Sequence, residues 1–76
     1  MIAEDVKALL TEAFPSAQIN VAGEGAKFDI SMVSDDFTGK RAVARQQMVY
    51  AVLNDQIASG EIHAVTMSLK TTTEAE

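Results

Sequence analysis

The spacing of apolar residues divides the chain into helical and extended segments. Ile2, Val6, Leu9, Leu10 and Ala13 recur at the spacing of one helix face. Glu4 and Asp5 stand near the amino end of that stretch, where the helix dipole favours anions. Pro15 disfavours α geometry at Phe14 and stops the helix there. The pattern predicts a first helix over about residues 3–13.

The period then shortens to two. Ile19 and Val21 alternate with Gln18 and Asn20, and Phe28, Ile30 and Met32 alternate with Lys27, Asp29 and Ser31. Such alternation marks strands with one buried face. Gly23-Glu24-Gly25-Ala26 joins them through glycines that accept positive φ, so the pair reads as a β-hairpin. Ser34-Asp35-Asp36-Phe37-Thr38-Gly39 reads as a loop in which Asp35 and Asp36 are suited to cap a single helical turn and Phe37 to plug onto the core.

No Gly or Pro interrupts Lys40 to Ser59, where Val43, Tyr50, Leu53 and Ile57 follow one helical stripe widened by Val49 and Val52. One long helix satisfies this pattern, and so do two short ones with a bend near Gln46–Met48. Gly60 stands where a left-handed helix terminator is expected. Ile62 to Lys70 reads as a third strand, with His63, Val65, Met67 and Leu69 on one side and Ala64, Thr66, Ser68 and Lys70 on the other. Thr71 to Glu76 is a polar tail expected to fray.

The order is therefore α-β-β-α(-α)-β. The first two strands pair antiparallel, and the third joins parallel after a right-handed crossover. Each strand keeps one polar face, so the helices cover only the other. The predicted fold is α+β, a two-layer sandwich on a three-stranded mixed sheet, with residues 1–76 as one domain.

Size and composition narrow the chemistry. A chain of 76 residues buries roughly 60% of its unfolded surface and has little core to spare for a deep pocket. The absence of cysteine removes disulfides and thiolate sites, and fits a reducing compartment. No apolar run approaches the roughly 18 residues of a membrane span. Glu4 and Asp5 also leave no basic-then-apolar leader. These features suggest a soluble cytoplasmic protein with no membrane partner. A net charge of −5 argues against unspecific nucleic-acid binding. Lys40, Arg41 and Arg45 nevertheless gather half of the six cations. They read either as a solvated helix turn or as a contact for a protein partner or nucleic acid. The Gly39-Lys40-Arg41 step could set helix N–H groups and two cations around a phosphate or a carboxylate.

His63 is the only histidine, and with no thiol present it is nearly the only neutral-pH candidate for handling a metal or a proton. A hydrolase triad would lack a nucleophile elbow. An all-protein zinc site would need three or four suitable ligands. Asp35 and Asp36 form a carboxylate pair that loop capping explains better, and Gly23-x-Gly25 lacks the helix and Lys-Ser/Thr of a phosphate loop. The inventory points away from an enzyme and toward a small binding module. His63 shares parity with Val65 and Met67, which allows a half-buried histidine bonded to backbone. Its place just past Gly60, at the sheet rim, equally allows a neutral imidazole that completes the coordination of iron or zinc begun by a partner.

The combination Asp36-Phe37-Thr38-Gly39, Arg45-Gln46-Gln47-x-Val49-Tyr50, Leu53 and Glu61-Ile62-His63-Ala64-Val65 resembles the BolA family, closest to its YrbA/IbaG-type bacterial branch. The resemblance runs from the first helix to the end of the third strand. It implies an αββααβ fold like a class II KH domain. It also implies a non-enzymatic partner of monothiol, CGFS-type glutaredoxins, as a monomer or weak homodimer. In such complexes a [2Fe–2S] cluster is shared and is not held by the BolA-like chain alone. The glutaredoxin and its glutathione supply thiolates, and the residue matching His63 supplies an imidazole. Imidazole in place of thiolate raises the reduction potential, and it makes binding pH-dependent because the ligand must be neutral. Many relatives carry a second Cys or His ligand in the hairpin, where the matching position here is Lys27, which when protonated cannot ligate iron. His63 then stands as the sole ligand from this chain, or a water, Glu24 or a partner group takes the second place. The resemblance also carries a possible DNA-binding role. The KH loop Gly-x-x-Gly is reduced here to the first glycine of Gly39-Lys40-Arg41-Ala42.

Overall fold

The computed structural model describes every residue from Met1 to Glu76. Its elements are α1 (Ala3–Ala13), β1 (Gln18–Glu24), β2 (Lys27–Val33), a 3-10 turn (Asp35–Phe37), α2 (Ala42–Ala58) and β3 (Ala64–Lys70). β2 is the central strand, antiparallel to β1 and parallel to β3. Ile19 lies opposite Met32, and Val21 opposite Ile30, so the alternating apolar residues meet on one face. The opposite face carries Gln18, Asn20, Asp29, Ser31, Thr66 and Ser68, all exposed. This is the two-layer α+β arrangement that the periodicity predicts.

The core joins Val6 and Leu10 of α1, Phe28, Ile30 and Met32 of β2, and Val49 and Leu53 of α2, each at most 2% exposed. Phe37 is fully buried from its loop, with its ring centroid 6.0 Å from that of Phe14. Complete burial of each large apolar side chain contributes about 1.5–3 kcal/mol, so the loop plug supports the domain as much as a helical residue does. Helix α1 ends at Phe14, whose N–H donates to the Leu10 carbonyl (2.8 Å). At its start the Ile2 N–H donates to Asp5 Oδ2 (2.9 Å), half of a capping box that Ile2 has no oxygen to complete.

Two sequence expectations change, and one open alternative is settled. The loop turn is capped by Ser34, whose Oγ accepts from the Asp36 N–H (3.1 Å), so Asp35 and Asp36 lie inside the turn and do not cap it. The segment after it holds one continuous helix, with no bend at Gln46–Met48, and the turn at Asp35–Phe37 is the only other helical piece between β2 and β3. The buried stripe of α2 runs through Val49 and Leu53, while Val43 (63% exposed) and Tyr50 (40%) lie outside it. The reason is that α2 packs over the sheet through the 49/53 pair, four residues apart, and this rotates positions 43 and 50 away.

The hairpin depends on close backbone approach at Gly23. It has φ 129°, and a Cβ there would lie 2.2 Å from the Lys27 carbonyl oxygen. Gly23→Ala is therefore expected to lower stability by about 2–3 kcal/mol through backbone strain and displacement of β2. Urea denaturation followed by far-ultraviolet circular dichroism measures the loss. A midpoint equal to that of the wild type would show that the hairpin absorbs a side chain there.

Candidate metal-ligand site

His63 sits where three elements meet: the hairpin turn, the end of α2 and the start of β3. Helix α2 closes with Gly60 at φ 85°, its N–H donating to the Ile57 carbonyl (3.2 Å). The chain then sends Ile62 into the core, 2% exposed, with its N–H bonded to the Gln56 carbonyl (3.1 Å). The next two N–H groups, of His63 (2.7 Å) and Ala64 (3.2 Å), both donate to the carbonyl of Ala26 in the hairpin turn. Two consecutive donors on one acceptor, just before β3 begins, break the alternation of the strand and turn the His63 side chain outward.

This step corrects the predicted strand. Pairing begins at Ala64, two residues later than the pattern suggests. Ile62 takes the core position, His63 is exposed, and Ala64 is on the open face. The parity that aligned His63 with Val65 and Met67 therefore does not bury it. Even those residues are only half-buried, because β3 is an edge strand. No side-chain hydrogen bond and no ion pair in the protein involves the imidazole, although its neighbours Ser59 and Glu61 do bond locally. The ring is thus neither packed nor engaged, which removes the half-buried alternative and leaves its nitrogens free to bind from outside.

Lys27 opens β2 and pairs in register with Ala64, one residue from His63. It lines a shallow depression with Glu24, Asp29, Ala64 and Thr66. It has no hydrogen bond to His63, and no group of three or more His, Asp or Glu side chains converges anywhere in the chain. The residues present therefore fit one imidazole donor completing a coordination sphere supplied elsewhere. They do not fit a metal held by this chain alone.

The cationic cluster divides in two. Lys40 and Arg41 are exposed, before and at the start of α2. Arg45 turns inward: its Nε donates to the Lys40 carbonyl (2.8 Å), and Nη1 donates to the Leu69 carbonyl (3.0 Å) and to Glu74 Oε1 (2.6 Å). Nη2 donates to Glu74 Oε2 (3.1 Å), completing a fork, and the guanidinium lies 5.9 Å from the centroid of the Phe37 ring. Arg45 thus joins α2, β3 and the tail, and of the three cations read as a contact surface only Lys40 and Arg41 remain open.

The polar tail makes local contacts at Thr71 and Glu74. Thr71 is buried, its N–H donates to Glu74 Oε1 (2.9 Å), and the Glu74 N–H donates back to Thr71 Oγ1 (3.2 Å). The Ser34 N–H donates to the Lys70 carbonyl (2.9 Å), holding the end of β3 to the loop. Thr71-x-x-Glu74 has the spacing of a capping box, a signal visible in the sequence.

A family signature described as BolA-like protein matches residues 10–74. The chain belongs to the BolA family. A protein of the rpoN–murA intergenic region of Acinetobacter guillouiae is 51% identical over 71 residues, covering 93% of this chain and 86% of that one. The acid stress protein IbaG of Escherichia coli K12 is 36% identical over 72 residues, 95% of this chain and 83% of that one. Among solved structures, the BolA domain of SufE1 from Arabidopsis thaliana superposes with a TM-score of 0.86 at 26% identity, covering 95% of this chain and 93% of that one. No helix of the chain is long and apolar enough to cross a membrane.

The tail clamp titrates. The Arg45 fork, helped by the Thr71 N–H, holds the Glu74 carboxyl at about 2, below its ordinary 4.5. A carboxyl depressed on folding stabilises the fold above its unfolded value, and that contribution is lost as pH falls through the folded one. The clamp is therefore complete above about pH 4.5 and is lost toward pH 2. The protection factors of the Thr71 and Glu74 amides, measured by NMR against the intrinsic exchange rate at each pH, are expected to hold from neutral pH down to about 4.5 and to fall below it, whereas Glu74→Gln lowers them already at neutral pH. Equal exchange in the two proteins would contradict the clamp.

Proposed function

We propose that this BolA-like chain is a non-enzymatic adaptor that docks a monothiol glutaredoxin and contributes His63 to a [2Fe–2S] cluster shared between the two proteins. The observation that carries the reading is the exposed, unengaged imidazole on backbone that the Ala26 carbonyl anchors just before β3. Backbone on both sides fixes its base, so little ordering is required when a partner presents the remaining ligands. A neutral imidazole suits a borderline metal ion, and one such donor needs ligands from elsewhere. Membership of the family and likeness to the BolA domain of SufE1 support the same assignment.

The residue at the family's second ligand position is Lys27, exposed and without a role as donor while protonated. His63 is then this chain's sole ligand, and glutaredoxin and glutathione thiolates occupy the other places. When bound, such a cluster supplies one-electron redox and transfer chemistry, tuned by the imidazole. Ligation requires a neutral imidazole, which makes formation of the mixed complex pH-dependent. With Arg45 committed to Glu74, Lys40 and Arg41 are the only open cations of that patch on a chain of net charge −5, and no structural observation favours nucleic acid.

Anaerobic cluster reconstitution with a monothiol glutaredoxin and glutathione tests this. The wild-type chain is expected to convert the glutaredoxin homodimer's visible circular dichroism to a distinct mixed-complex spectrum. His63→Ala is expected to lose that spectrum while retaining its melting temperature, since the side chain is exposed. An unchanged mixed spectrum in the variant would refute ligation by His63.

A further inference from the structure

Gly60 ends α2 with φ 85°, which accounts for a glycine there on backbone grounds. A second property is not accounted for by the helix end. Apart from adjoining residues, a Cβ built on Gly60 would have one heavy-atom neighbour within 4 Å, and that atom is Nε2 of His63 at 3.8 Å. The space above Gly60 is otherwise empty, and the imidazole borders it through its outermost nitrogen. A metal ion sits about 2 Å from a ligating imidazole nitrogen. A side chain at position 60 would therefore enter the approach that the metal and its other ligands need.

We propose that Gly60 is a positioning residue for the metal site: the missing side chain holds open the space beside the His63 imidazole. This rests on reading His63 as a ligand and adds what controls access to it. Any side chain at position 60 in the L configuration narrows the path, however well the backbone tolerates it. The exposed neighbour Glu61 is free to vary, because the argument concerns only the space bordered by Nε2.

The test separates steric access from helix termination. Gly60→Asn and Gly60→Ser add side-chain atoms next to Nε2, and asparagine tolerates left-handed φ. Replacement of Gly60 by D-alanine in the chemically synthesised full-length chain favours positive φ and points its methyl away from the L-Cβ position. Two readouts are taken on folded protein. One is the rate at which diethyl pyrocarbonate modifies the single histidine, which needs no cluster. The other is the mixed-complex circular dichroism with glutaredoxin. Gly60→Asn and Gly60→Ser are expected to slow modification several-fold and to weaken the mixed spectrum, while the D-alanine chain matches the wild type in both. Wild-type modification rates and spectra in the Asn and Ser variants would overturn the role of Gly60. Loss of the spectrum in the D-alanine chain would assign the effect to the backbone and also overturn it. If instead His63→Ala leaves the mixed spectrum unchanged, the parent reading fails, a result distinct from either of these.

Discussion

The carbonyl of Ala26 is the constraint on which the site depends. It lies in the turn of a hairpin and accepts from both His63 and Ala64, so it couples the β1–β2 unit to the first residues of β3. Parallel pairing with β2 requires Ala64 to sit opposite Lys27, and burial requires Ile62 to reach the core before that pairing begins. Only His63 is left between these demands, and it turns outward. The exposure of the imidazole is thus a consequence of how the sheet starts. No pocket was needed to produce it. The tightly approached glycine at position 23 belongs to the same unit, since it lets β1 come close to Lys27 as that strand leaves the turn.

The energetics of this arrangement favour assembly over independent binding. A lone imidazole donor cannot retain a metal against water, but a donor fixed by backbone on two sides loses little freedom when a partner brings the rest. The thiolates that a [2Fe–2S] centre needs are absent from the chain, which has no cysteine. The same logic explains the division of the basic cluster. Arg45 joins α2, the last carbonyls of β3 and the tail, with Phe37 near its guanidinium, and so strengthens the end of the molecule away from the hairpin turn.

Most of the fold was legible from periodicity. The first helix, the hairpin, the loop plug Phe37 and the parallel third strand follow from spacing, because each places large apolar side chains on one side. The errors fall where a single backbone contact outweighs pattern. Alternation from Ile62 to Leu69 predicts an apolar-facing His63, yet the shared acceptor at Ala26 inserts a break that no side-chain pattern records. Of the predicted stripe Val43, Tyr50, Leu53 and Ile57, Leu53 is buried together with the flanking Val49 while Val43 and Tyr50 are exposed, and only the position of the sheet decides between them. The contacts of the tail escape composition, because Arg45 lies too far away in sequence for its pairing with Glu74 to show as a pattern. His63 itself was identifiable from inventory, whereas its freedom from internal partners and its proximity to Gly60 were visible only in three dimensions.

The central claim is that the nitrogen of one identified residue binds the iron of a cluster shared with another protein. Because the chain has a single histidine, growth on 15N-histidine marks one imidazole in it, and the glutaredoxin remains unlabelled. Pulsed electron paramagnetic resonance on the reduced mixed complex then reports nitrogen bound to the cluster directly. The account predicts strong 15N couplings of a directly coordinated imidazole, replaced by 14N couplings when only the glutaredoxin is labelled. A reduced cluster with no 15N coupling from the labelled chain would contradict it.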